Sequence, residues 1–186
     1  MSSVFNFKPS PLSLAMKANA VTLFMLMAHA VEARVVTGAD EYVRPGPAPD
    51  RFELLAGSGL TVEGTATRDI RAESATLVVT PGSSTQDIIA NNSRIRIEGS
   101  DVTARSSANA ALRVTGSDVF ISNSTITHES GTGLTAGRNL GATNGSSVTV
   151  VDSTITGTNR GASASAYSVL DFTGSLIQAT NDDGIG

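Results

Sequence analysis

Two histidines occur in 186 residues, His29 and His128, and only His128 has an acidic neighbour, Glu129. Such a pair could begin an acid–base site, but one imidazole with no cysteine in the chain cannot assemble a typical zinc site. His128 therefore reads as part of a solvated turn just beyond the strand that carries Ile126. Asp182-Asp183 in NDDGIG supplies two carboxylates, the pair that glycoside hydrolysis places across a scissile bond. Neighbours on a strand point to opposite faces, however, so Asn181–Gly184 reads first as a turn with Asp-Gly at its corner. Asp101, Asp118 and Asp152 stand beside serines and would suit a calcium-lined edge, yet the Gly-Gly-x-Gly-x-Asp repeat of calcium-binding rolls is absent. The glycine-rich stretch Gly131–Gly145 lacks the Lys-Ser/Thr ending of a phosphate loop. No second histidine is placed to activate a serine nucleophile. The Asn-x-Ser/Thr triplets at Asn91, Asn123 and Asn144 read as turn residues. The sequence thus assigns no catalytic, cofactor-binding or metal-binding residue and calls for no cofactor.

What it does assign is a repeat. IRIEGSDV (Ile95–Val102), VFISNSTI (Val119–Ile126), VTVVDSTI (Val148–Ile155) and LDFTGSLI (Leu170–Ile177) share apolar residues at positions one, three and eight. Each has Gly, Asn or Asp at position five and serine at position six: Ser100, Ser124, Ser153 and Ser175. LRVTGSDV (Leu112–Val119) fits the same template, so one corner motif serves more than one corner. LTVEGTAT (Leu60–Thr67) is a weaker copy. Positions one and three share a strand face, the corner admits left-handed backbone, and position eight resumes an inward side chain. Offsets of 24, 29 and 22 residues suit one coil of a right-handed parallel β-helix, with about four to six irregular coils over residues 57–186. Ile97, Ile121, Val150 and Phe172 should form one inward stack; Val102, Ile126, Ile155 and Ile177 should form another.

Residues 1–33 read as a signal peptide. Lys8 and Lys17, the only lysines, precede the apolar run Ala18–Ala30, which is too short to span a bilayer of about 30 Å. Small residues at Ala28 and Ala30, or Val31 and Ala33, provide the cleavage site. Arg34–Ala56, with Pro45, Pro47 and Pro49, reads as an extended leader. Cleavage after Ala33 leaves 11 Arg, no Lys and 16 acidic residues, which argues against nucleic acid or anionic lipid as a main partner. With no cysteine, stability must come from packing rather than disulfides.

The export signal, the irregular coils such as SVTVVDSTITG and DVFISNSTITH, and the lack of cysteine together resemble the N-terminal part of an autotransporter passenger of the pertactin-like kind. That resemblance implies an exported, non-enzymatic passenger, commonly an adhesin or other virulence factor. Its partners would be the export machinery, a C-terminal outer-membrane barrel, and a host surface or extracellular matrix. The sequence has no barrel strands up to Gly186, so it reads as a fragment. Localisation is then cell surface or extracellular if a barrel follows, and periplasmic otherwise. The other reading is a carbohydrate-active β-helix enzyme whose catalytic coils lie elsewhere. Two further expectations concern the ends: the degenerate, charged stretch Leu60–Val79 should cap the N-terminal coil, and the C-terminal coil should be sticky.

Overall fold

The computed structural model describes residues 33–46, 51–105, 109–137, 145–165, 167–181 and 185, and among them there is no helix. Strands follow one another in successive circuits. The first is β1 (Arg34–Val36) and β2 (Glu41–Val43); the second is β3 (Phe52–Leu54) and β4 (Gly59–Val62). The third is β5 (Ile70–Glu73), β6 (Thr76–Val79) and β7 (Ser84–Thr85); the fourth is β8 (Ile88–Asn91), β9 (Arg94–Glu98) and β10 (Asp101–Ala104). The fifth is β11 (Ala110–Thr115), β12 (Asp118–Ser122) and β13 (Thr125–His128). The sixth is β14 (Thr132–Gly137), β15 (Ser147–Val151) and β16 (Thr154–Gly157), and the seventh is β17 (Arg160–Ala164), β18 (Val169–Thr173) and β19 (Leu176–Ala179).

Each strand pairs with its counterpart one circuit away, never with its neighbour in sequence. Three sheets result: A, β1-β3-β5-β8-β11-β14-β17; B, β2-β4-β6-β9-β12-β15-β18; and C, β7-β10-β13-β16-β19. All pairings are parallel, which is consistent with a parallel β-helix. Parallel strands need a long crossover, and here the rest of each circuit supplies it.

Both expected inward stacks are present. Ile121 is in register with Ile97 and Val150, and Val150 with Phe172. Val79, Val62 and Val43 extend this ladder in the other direction. Val102, Ile126, Ile155 and Ile177 form the second ladder. Ile97, Ile121, Val150, Val102, Ile126 and Ile155 are completely buried, and each such side chain contributes about 1.5–3 kcal/mol. Longer strands of sheet B each turn two aliphatic residues inward, as Ile95 with Ile97, Val119 with Ile121 and Val148 with Val150.

The corner motif has the backbone its residue types permit. Position five is left-handed in every copy: Gly99 (φ 51°), Asn123 (φ 49°), Asp152 (φ 46°) and Gly174 (φ 60°). Serine then bonds the circuits to one another. The Ser100, Ser124 and Ser153 backbone N–H groups donate to Oγ of Ser124, Ser153 and Ser175, at 3.2, 3.1 and 3.2 Å. A second ladder joins sheets A and B, where the N–H groups of Ser93, Ser117 and Ser146 donate to Oγ of Ser117, Ser146 and Ser168. That is the second corner at which LRVTGSDV had matched. Ser124 is 4% exposed, and its Oγ also donates to the Ser122 carbonyl at 2.7 Å. Ser124→Ala strands both partners away from water and should cost about 1–3 kcal/mol in urea unfolding. Ser175→Ala, at a half-buried rung, should cost less because water can replace the hydroxyl.

Two expectations need correction. Arg34–Ala56 is not a leader: β1, β2 and β3 lie within it and pair into sheets A and B, with Val36, Phe52 and Leu54 fully buried. The prolines masked this, although all three fall between β2 and β3 in sequence. Leu60–Val79 is not a cap, because its strands β4, β5 and β6 have neighbours on both sides. Its charges sit outside; Asp69, for example, pairs with Arg51 at 2.7 Å. Within residues 57–186 sheet B has six strands and sheet A five, in line with four to six coils, and residues 34–54 bring both sheets to seven. Within Gly131–Gly145, the first part is strand β14, and the added length falls between β14 and β15.

Candidate functional site

Outward positions form ladders as regular as the inward ones, and one of them crosses a cleft. On sheet A the register places Val35, Glu53, Arg71, Ile89, Arg113, Thr135 and Ser163 in one outer row. Arg71, Ile89 and Arg113 line two clefts. The first, of about 320 Å³, is completed by Arg51, Asp69, Asp87 and Asn109. The second, of about 300 Å³, lies on the other side of the same three residues and includes Glu53, Glu73 and Asn91.

Charge in the first cleft is only partly compensated. Arg51 donates to Asp69 through Nε at 3.0 Å and through Nη2 at 2.7 Å. Arg71 and Arg113 make no ion pair among the described residues, and neither does Asp87. Burial raises the Asp87 carboxyl above its ordinary 3.8, and the negative charge of Asp69 adds to this, while His128 opposes it.

His128 is the clearest departure from the sequence reading. It is 2% exposed rather than in a solvated turn, stacked between Ala104 and Gly157 in sheet C. Alternation explains this: two residues beyond inward Ile126, it points inward as well. Ser130 N–H donates to its Nδ1 at 3.0 Å. Gly131 makes room, since a Cβ there would lie 2.9 Å from the His128 Cε1. Glu129, by contrast, is exposed beside Arg105 at 3.7 Å, so the adjacent pair is split between inside and outside.

The other sequence candidates are not brought together. Asp101 and Asp118 open strands β10 and β12 with exposed side chains, and Asp152 is a left-handed corner residue. Among the described residues no three His, Cys, Asp or Glu cluster as metal ligands. Ser100, Ser124 and Ser153 are buried rungs of a hydrogen-bond ladder. Asn123 is a corner residue, and Asn91 donates through Nδ2 to Glu73 at 3.0 Å. Asp182, Asp183 and Asn144 lie outside the described residues, as does residues 1–32 of the signal-peptide reading.

The cleft was missed because its residues belong to no local motif. Arg71, Ile89 and Arg113 are 18 and 24 residues apart and meet only through the register. Extending the repeat register from sheet B into sheet A would have revealed them. No protein-family model matches the chain, and neither a curated protein nor a solved structure proves similar to it.

Proposed function

We propose that this chain is a non-enzymatic scaffold: a right-handed β-helical segment of an exported, autotransporter-type passenger that presents surface loops for adhesion. One observation carries the reading. The interior register is constant while the connections vary. Ile97, Ile121, Val150 and Phe172 stay in register although the intervals between them are 24, 29 and 22 residues. In the fifth circuit two residues separate β11 from β12; in the sixth, nine separate β14 from β15. Length is therefore free to change outside without disturbing the core, as a scaffold for variable loops requires. The signal-peptide pattern of residues 1–33 supports export, and the absence of disulfides suits a chain that crosses membranes before packing.

Loop exchange tests this. Residues 138–144 would be replaced by an unrelated seven-residue epitope in the exported chain. The expected result is an unchanged melting temperature, antibody recognition of the epitope, and loss of attachment to host-cell monolayers. Loss of cooperative melting would show that the segment is structural, and unchanged attachment would remove its adhesive role.

A further inference from the structure

Among the described residues, five of the eleven arginines pair with a carboxylate. Arg34, Arg44, Arg51, Arg96 and Arg105 each face a carboxylate, on Glu41, Glu63, Asp69, Glu98 and Glu129 respectively. Arg71 and Arg113, like Arg94 and Arg160, make no ion pair among the described residues, and these two stand on the two sides of Ile89 in one outer row. Their Cα positions are two strand spacings apart, ~9.6 Å. The two acidic residues nearest to Arg71 in sequence are already engaged, Glu73 by Asn91 and Asp69 by Arg51.

A ligand for this surface needs three properties at once. It must carry anionic oxygens spaced along its length, because guanidinium groups recognise carboxylate and sulfate with directed hydrogen bonds. It must donate hydroxyls, because Asp87 offers an acceptor that no described side chain satisfies, and Asn109 offers donor and acceptor beside it. It must also present an apolar face to Ile89. The two clefts meet at Arg71, Ile89 and Arg113, so a chain can pass over these residues from one to the other. Nucleic acid fits poorly, since neither cleft has an aromatic side chain for base stacking.

We propose that the outer face of sheet A binds an acidic polysaccharide, with its anionic groups on Arg71 and Arg113, its hydroxyls on Asp87 and Asn109, and its ring faces on Ile89. This inference does not depend on the export reading.

Affinity electrophoresis of the full chain in gels containing polygalacturonate, dextran sulfate, neutral dextran or single-stranded DNA tests it. Retardation is expected with one or both acidic polysaccharides and not with dextran; the carboxylate and sulfate gels separate the two anion chemistries. The double variant Arg71→Gln/Arg113→Gln should weaken the retardation at least tenfold while melting as the parent does. Arg94→Gln, an exposed arginine on sheet B, should leave it unchanged. If the double variant melts early, Arg71→Lys/Arg113→Lys keeps the charge and should lose an intermediate share through its missing directed bonds. No retardation by either acidic polysaccharide, equal retardation by DNA, or equal loss with Arg94→Gln would overturn the proposal. Cleavage of polygalacturonate would refute the scaffold function while leaving the binding site standing.

Discussion

Ile121→Asp should abolish cooperative unfolding of the circuits around it. Ile121 has no exposed surface and lies in register between Ile97 and Val150. The substitution removes an aliphatic side chain, at about 2–5 kcal/mol for losses of this kind, and buries a carboxyl with no partner in the ladder. Together these approach the whole stability of a typical domain, about 5–15 kcal/mol. A thermal melt should show a midpoint lowered by more than about 10 °C, or no transition at all. Thr125→Asn, four residues away on the exposed side of β13, should stay within about 0.5 kcal/mol of the parent. Equal shifts for the two would contradict the register.

Gly157→Ala should be among the most costly single-methyl changes. Gly157 is an inward position at the end of β16, in register with His128 and Ala179. A Cβ there would collide with the Arg160 carbonyl oxygen and lie 2.7 Å from both the Gly131 oxygen and the Gly133 nitrogen. All three are backbone atoms, so no rotamer change relieves the contact. Overpacking of this kind costs about 1–3 kcal/mol, and with three fixed contacts the upper end is expected, lowering the melting temperature by about 6–12 °C. Gly38→Ala, where an added Cβ meets nothing within 4 Å, should leave it unchanged or slightly higher.

These two sites mark the boundary of what the sequence makes legible. The ladder of Ile97, Ile121, Val150 and Phe172 could be read directly, because β-branched residues alternate along each strand and a left-handed corner follows at a fixed offset. Serine at position six was visible as a pattern, but its hydrogen bonds to the next circuit were not. Sheet A was harder: several of its inward residues are Ala72, Ala90, Ala136 and Ala162, which leave little hydrophobic contrast. His128 was misread because the alternation was followed only to position eight. The inward residues two places further along are Ala104, His128 and Gly157, three side chains with no shared chemistry. The first circuits were hidden by proline, whose effect on the chain is local and does not prevent Val36, Val43 and Phe52 from packing inward. The cleft could not be found locally at all, since charge and apolar surface converge there from four successive circuits.

The parallel register underlies both the scaffold and the cleft, and paired cysteines test it most directly in a chain that has none of its own. Thr125 and Thr154 are register partners on β13 and β16, 29 residues apart in sequence. Their Cα separation of ~4.8 Å falls within the ~4.4–6.8 Å range that a disulfide spans. The double variant Thr125→Cys/Thr154→Cys should oxidise rapidly to an intramolecular disulfide under native conditions. Thr125→Cys/Thr156→Cys moves the second cysteine two residues along the strand, to ~8 Å, and should oxidise slowly or not at all. Rapid cross-linking of the first pair alone is the predicted result; equal cross-linking of both pairs, or preference for the second, would contradict the fold and everything built on it.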